Sequence, residues 1–407
     1  MMKTILLALP AALFAAAPSA PQPPSVSVTC TRASHRYSAD EAAEFLVESQ
    51  PSSAEVEVRF ARIGREPLTQ FVTTTPARVS FALGKPGFVR CLAWCKSAPG
   101  GSAVAGAAFD PEQLRPSLPP PADYDAFWEN AFKELESIPA DYEKRPLAKG
   151  VYALSCRTAN GKRQYGFLRL PEGPGPYPLK VHVNGGEAYF TEQNAISGGT
   201  PTDQATLLIH LPPYRPAARD GKAYHEKWLK EKGLKRFLFE NIDKEPRDLY
   251  FYPCILGACR LVDFAVKDPS IDRARVIYSG ASHGGGFGVY ITAFSPHIRA
   301  AFCGVPNFGN LSGTAEGRPI GISDGPMRGI WKKLRYFDAA YCAPRITVPV
   351  FMSVGFLDTA VEADSIYPVY NALRGPKLMF DKVNYGHGGG PPEYQPLVNA
   401  WLANVLR

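Results

Sequence analysis

Beyond its first twenty residues the chain has no apolar run that reaches the roughly 18 residues of a membrane span. It has no C-x-x-C pair, which removes the usual spacing of a structural zinc site. No block of lysine and arginine and no basic stripe interleaved with aromatics is present, so a nucleic-acid-binding surface leaves no footprint. A formal charge of +7 on 407 residues is too mild to select a partner. Charged residues make up 20% and hydrophobic ones 45%, ordinary globular proportions that exclude wholesale disorder. Histidine is scarce, with 7 in all, and that scarcity later limits the choice of a catalytic base. Proline (39) and glycine (36) are the residues in excess, which argues for many turns and against a coiled coil or helical repeat.

The first twenty residues read M-M-K-T-I-L-L-A-L-P-A-A-L-F-A-A-A-P-S-A. Lys3, the apolar stretch Ile5 to Ala17 and the small residues after it have the pattern of a secretory signal peptide. Export to the periplasm or the medium is the expectation, and residues 1–20 are set apart from the fold. The eight cysteines are Cys30, Cys91, Cys95, Cys156, Cys254, Cys259, Cys303 and Cys342, too sparse for a disulfide scaffold. Cys91 and Cys95 share a strand-like run and stand roughly 13 Å apart along it, too far to bridge each other. Either is placed to pair with Cys30 across a sandwich. Cys254 and Cys259 read as buried thiols in a helix.

Residues 25–112 read as a small all-β domain of sandwich type. In A-E-V-E-V-R-F-A-R (54–62), Val56, Val58 and Phe60 alternate onto one face. Further strands are expected at 68–73, 77–81 and 88–94, with Gly, Pro and Ser turns between them. His35, Asp40 and Glu41 read as surface residues. Four prolines between Pro116 and Pro121 make 113–121 a stiff linker. A helix follows, with Asp123 as its cap and Tyr124, Phe127, Trp128, Phe132 and Leu135 at helical spacing. From about residue 150, strands alternate with helices. Strands are expected at 163–170, 179–183, 206–211, 275–278, 300–303, 348–354 and 377–383, with a helix at 249–266. This is an α/β domain with a mostly parallel sheet over 122–407. Ligands then gather at the carboxyl ends of the strands.

The strongest motif is G-x-S-x-G at Gly280, Ala281, Ser282, His283 and Gly284. An apolar strand precedes it and a Gly-rich helix start follows, the context of a nucleophile elbow. A hydroxyl needs a base to take its proton, and the base needs an acid to orient it. In this fold the chain order is serine, acid, histidine. His387, in the glycine-rich run after the last strand, lies far enough downstream to be the base. Asp358, just past the buried strand V-P-V-F-M-S-V-G-F-L-D, is the acid. Asp338, Glu362, Asp364 and Asp381 are its rivals: one precedes the strand, two start a helix and one lies within a strand. The oxyanion of acyl transfer needs two donors. They are expected from the N–H of His283 and from the turn Asn184-Gly185-Gly186, with Gly186 first and Gly185 and Glu187 as neighbours. The Gly-rich stretch 307–333 sits where this architecture places lids, with Trp331 and Tyr214 as candidates to shape the pocket.

Three stretches give a family resemblance: P-A-D-Y-D-A-F-W-E-N-A-F-K-E-L (121–135), Y-S-G-A-S-H-G-G-G (278–286), and L-R-Y-F-D-A-A-Y-C-A-P-R-I-T-V-P-V-F-M-S-V-G-F-L-D (334–358) with Y-N-A-L-R-G-P-K and Y-G-H after it. From about Pro121 to Arg407 the chain resembles the acetyl xylan esterase/cephalosporin-C deacetylase family of α/β-hydrolases. The resemblance implies removal of acetyl groups from sugar hydroxyls through an acyl-enzyme. It implies Ser282, Asp358 and His387 as triad, His283 and Gly186 as oxyanion donors, and no metal or organic cofactor. The implied partner is an acetylated carbohydrate, and the resemblance allows a homo-oligomer. His283 stands where the family has glutamine, Asn184-Gly185-Gly186 where it often has H-G-Y, and A-V-E where C-P-P follows the acid.

Two other readings stand beside the esterase. A peptidase like the prolyl oligopeptidases also joins a β-domain to an α/β-hydrolase, but it needs a propeller, for which about 90 residues are too few. A carbohydrate-binding protein is the other, with 25–112 as the binding module. Trp94, the only tryptophan there, lies in an apolar strand and reads as core.

Overall fold

The structure, a computed structural model, describes residues 25–50, 52–63, 65–95, 101–186, 189–316 and 326–406. Residues 1–20, where a signal peptide is expected, and Glu187 lie outside the described residues.

The N-terminal region is two sheets face to face. Strands β1 (Ser25–Cys30), β2 (Arg36–Tyr37), β3 (Ala43–Gln50), β4 (Glu55–Ala61), β5 (Pro67–Thr74), β6 (Ala77–Phe81), β7 (Gly87–Cys95) and β8 (Ser102–Phe109) sort into β1-β3-β6 and β2-β8-β7-β4-β5. Alternation drives this. Phe45 and Val47 of β3, Val56, Val58 and Phe60 of β4, and Cys91 and Ala93 of β7 are fully buried in one core between the sheets. A propeller repeats four-stranded blades; these eight strands close a single sandwich. Two expectations fail here. His35 is buried, and its ring meets the Gly106 carbonyl at 2.8 Å. Cys30 forms no disulfide: all eight cysteines are free and buried, and the Cys30 thiol lies 3.2 Å from the Tyr37 hydroxyl.

The second sheet has nine strands: β9 (Glu143–Ala148), β10 (Val151–Arg157), β11 (Arg163–Arg169), β12 (Tyr177–Val183), β13 (Ala205–His210), β14 (Ile271–Ala281), β15 (Ala300–Gly304), β16 (Val350–Gly355) and β17 (Lys377–Lys382). Their order is β17-β16-β15-β14-β12-β13-β11-β10-β9. The pairs among β12 to β17 are parallel, and those joining β9, β10, β11 and β13 are antiparallel. Consecutive residues enter different cores. Ala301, Cys303, Val350 and Met352 face the helices Tyr124–Ser137, Phe251–Ala265 and His283–Phe294. Phe302 and Phe351 face Val398 and Trp401 of the terminal helix Tyr394–Val405. This is why the strands read as unbroken apolar runs: both faces are covered. It is the α/β-hydrolase architecture expected. Sequence periodicity passed over β9, because E-K-R-P-L-A is an exposed edge strand with a proline in it.

At the sheet centre β13 continues to one side of β12 and β14 to the other. The carboxyl ends of β12 and β14 therefore meet at the topological switch point, where a crevice opens. The proline-rich segment lies along this domain. Ser117 N–H donates to Asn310 Oδ1 at 2.8 Å, and the Leu118 carbonyl accepts from the Tyr341 hydroxyl at 2.7 Å. Asp123 begins the helix Tyr124–Ser137, but its carboxylate accepts from the Tyr336 hydroxyl at 2.6 Å and makes no capping bond.

Candidate active site

Ser282 ends β14 and opens the helix His283–Phe294 at φ 59° and ψ −121°. A non-glycine residue reaches positive φ only under constraint. Here the Ser282 N–H donates to the Gly304 carbonyl at 2.8 Å, and its carbonyl accepts from Gly286 and Asn307 N–H, each at 3.0 Å. The flanking glycines are required by space. A Cβ at Gly280 would stand 2.7 Å from the Tyr278 hydroxyl, and one at Gly284 would collide with the Val183 carbonyl. A tight strand-to-helix turn with an outward hydroxyl results, the elbow geometry.

His387 comes to this hydroxyl from a loop after β17. Its Nε2 lies 2.8 Å from Ser282 Oγ, and its Nδ1 lies 2.8 Å from Asp358 Oδ2. A carboxylate only accepts, so Nδ1 carries the proton and Nε2 is left to accept from the serine hydroxyl. Asp358 is fully buried at the end of β16. Its second oxygen accepts from Ala360 and Val361 N–H at 2.8 and 2.9 Å. The three sequence candidates thus form one hydrogen-bonded chain. The rivals are occupied elsewhere. Asp338 accepts from the N–H groups of Asn310, Leu311 and Ala340, with burial pushing its carboxyl up to about 7. Asp381 accepts from Arg36 and Tyr367. Glu362 and Asp364 start the helix Ala363–Ala372.

The turn after β12 passes beside the serine. A Cβ at Gly185 would stand 3.5 Å from Ser282 Cβ, and Gly186 follows at φ +63°. Asn184 holds the start of the turn through His182: its side chain meets Nε2 at 2.9 Å, while His182 Nδ1–H donates to the Ser279 carbonyl at 2.6 Å. A small cavity opens there, lined by Asn184, Gly186, Phe190, Ile209, His210 and Phe237. The His283 ring turns away into a box of Phe237, Phe287 and Phe308. Burial, with Arg236 nearby, pushes its pKa down to about 3, so the ring is neutral. Tyr214 packs on His210 and its hydroxyl lies 2.6 Å from His225 Nδ1, and Trp331 is half-buried with Lys332 over its ring.

One supporting residue escaped the sequence reading. Lys382, 2% exposed at the end of β17, donates to the carbonyls of His387 at 3.4 Å and Gly389 at 3.0 Å. It fastens the loop that delivers the histidine. A lysine closing an otherwise half-apolar strand is the only signal the sequence carries for it. Among the described residues, no group of three or more His, Cys, Asp and Glu is placed to hold a metal, and no helix is long and apolar enough to cross a membrane.

Residues 111–315 and 324–404 match the acetyl xylan esterase (AXE1) family, so the β-sandwich lies outside the match. Acetyl esterase Axe7A of Xylanibacter ruminicola is 25% identical over 285 residues, which is 66% of this chain. The chain spans 64% of that relative's length. Among solved structures, an acetyl xylan esterase from Paenibacillus sp. R4 superposes with a TM-score of 0.58 at 21% identity, covering 72% of this chain and 98% of that one. Acetyl xylan esterase 1 from Thermoanaerobacterium sp. JW/SL YS485 gives 0.57 at 17% identity, covering 73% and 98%. These two likenesses show a shared fold. The family match spans Ser282, Asp358 and His387, and the chain belongs to the acetyl xylan esterase family of carboxylic-ester hydrolases.

Proposed function

We propose that this protein is an exported serine esterase that removes acetyl groups from acetylated xylan, xylo-oligosaccharides or related sugars. The observation that carries the reading is the chain Ser282 Oγ, His387, Asp358, with both links at 2.8 Å, set on an elbow at the sheet's switch point. His387 Nε2 takes the serine proton as Oγ attacks the acetyl carbonyl. Asp358 holds the tautomer and stabilises the imidazolium. The oxyanion rests on the N–H groups of His283 and Gly186. The imidazolium returns its proton to the departing sugar hydroxyl, leaving an acetyl-enzyme. His387 then activates water, and acetate leaves. The residues 1–20 support export through their signal-peptide pattern.

Acetate release from acetylated xylo-oligosaccharides, acetyl-mannan and cephalosporin C ranks the substrates. Ser282→Ala is expected to lower kcat by about 10⁴-fold or more. Full turnover in that variant, or cleavage of Gly-Pro amides by the parent, would sink the reading. Sequencing the N-terminus of the exported protein locates the cut.

A further inference from the structure

The β-sandwich reaches the loop that carries Asp358, the helix after it and the strand that leads to the His387 loop, through three separate contacts. The first is a buried ion pair. Arg62 Nη2, next to the end of β4, lies 2.5 Å from Asp364 Oδ2, with side chains 6% and 7% exposed. Asp364 stands in the first turn of the helix Ala363–Ala372, six residues past Asp358. The second contact is apolar. Phe88 of β7 meets Phe356 edge-on with ring centres 5.0 Å apart, and meets Tyr367 at 5.6 Å. Phe356 precedes Asp358 by two residues. Gly106 of β8 lies flat against it: a Cβ there would stand 3.0 Å from Phe356 Cβ and 3.3 Å from its carbonyl. The third contact is Arg36 of β2, which donates to Asp381 Oδ2 at 2.8 Å. Asp381 adjoins Lys382, the residue that holds the His387 loop.

These contacts bracket the acid. Phe356 is fixed before it and Asp364 after it, while Ala360 and Val361 N–H bind its carboxylate. The ion pair is a demanding anchor. Both side chains are buried, so moving either partner strands an uncompensated charge inside the protein. Surface pairs give no such restraint.

We propose that the β-sandwich braces the catalytic loops, with Arg62 as a positioning residue. Its pair with Asp364, together with the Phe88–Phe356 contact and the close approach of Gly106, fixes the loop that aims Asp358 at His387. The proposal rests on the Ser282–His387–Asp358 reading. It gives the sandwich a part in turnover, beside the carbohydrate-binding module weighed as a rival reading of residues 25–112.

Hydrolysis of p-nitrophenyl acetate by the full chain tests it, with circular dichroism and unfolding midpoints giving the folded fraction. The variants are Arg62→Met, the swap Arg62→Asp/Asp364→Arg, Gly106→Val and Ser282→Ala. Per folded molecule, Arg62→Met and Gly106→Val are expected to lose about tenfold to a hundredfold in kcat, the cost of a misplaced catalytic group. KM is expected to stay within about twofold, since no substrate contact is removed. The swap should recover most of the loss. If Arg62→Met does not fold, Gly106→Val carries the test, because it leaves the ion pair in place. Parental kcat in the folded variants overturns the brace, and so does a loss confined to KM. Turnover by Ser282→Ala would remove the triad reading and the brace with it. A dead Ser282→Ala beside a fully active Arg62→Met would remove the brace alone.

Discussion

At the scale of single residues, the site depends on groups whose surroundings fix their protonation or their direction. Asp358 has all its work done by acceptance: one oxygen faces His387 and the other takes two backbone N–H groups. Asp358→Asn keeps the shape but offers a donor to Nδ1, which selects the wrong tautomer. Acetate release is expected to fall about 10⁴-fold while the circular dichroism spectrum is unchanged. His283 and His210 show the opposite control. Both are fully enclosed, burial pushes both pKa values down to about 3, and no ring nitrogen of either has a hydrogen-bond partner among the described residues. The folded state therefore binds fewer protons than the unfolded chain between about pH 3 and 6.5. Their stabilising contribution is whole above about pH 6.5 and is lost as pH falls through that window. Each histidine adds about 1.4 kcal/mol per pH unit to the slope near pH 5. Urea unfolding at pH 4.5 to 6 should show His283→Gln shallower than the parent by about that amount; an equal slope would contradict the assignment.

At the scale of elements, the elbow and its neighbours were legible because their signals are local. G-A-S-H-G places a positive φ at Ser282 and glycines where the next helix grazes β12, and both features appear. Gly284→Ala drives a methyl group into the Val183 carbonyl, so it is expected to cost about 1–3 kcal/mol, and unfolding by urea measures it. The acid and base were legible by chain order, since this sheet puts successive loops at one edge. Lys382 and the His182–Asn184 clamp were not. A polar side chain that binds a distant backbone carbonyl leaves no period and no spacing in the sequence. His35 was misread for the same reason: its partner is Gly106, 71 positions away.

At the scale of the whole molecule, sandwich and hydrolase sheet share a core. Phe88 and Ala108 of the sandwich pack in one cluster with Val354, Phe356, Val361, Ile366 and Tyr367. Apolar contact of this kind couples the unfolding of two regions more firmly than a flexible linker would. Heating should therefore give one transition, with loss of esterase activity and loss of β-structure at the same temperature. Two separated transitions would show that the regions unfold independently.

The class of each region and the elbow motif were readable along the chain, as were Ser282, His387 and a short list of carboxylates headed by Asp358 as candidates for the site. Those follow from periodicity, from glycine placement and from the order that a parallel sheet imposes on its loops. Which carboxylate faces the histidine, what fastens each loop, and that the sandwich packs against the acid loop appear only once the chain is folded. Such contacts join residues such as Arg62 and Asp364, 302 positions apart, and distance along the chain erases any pattern a reader could follow. Their specificity is set by which buried charge finds its partner, and that is known only when both are placed in space.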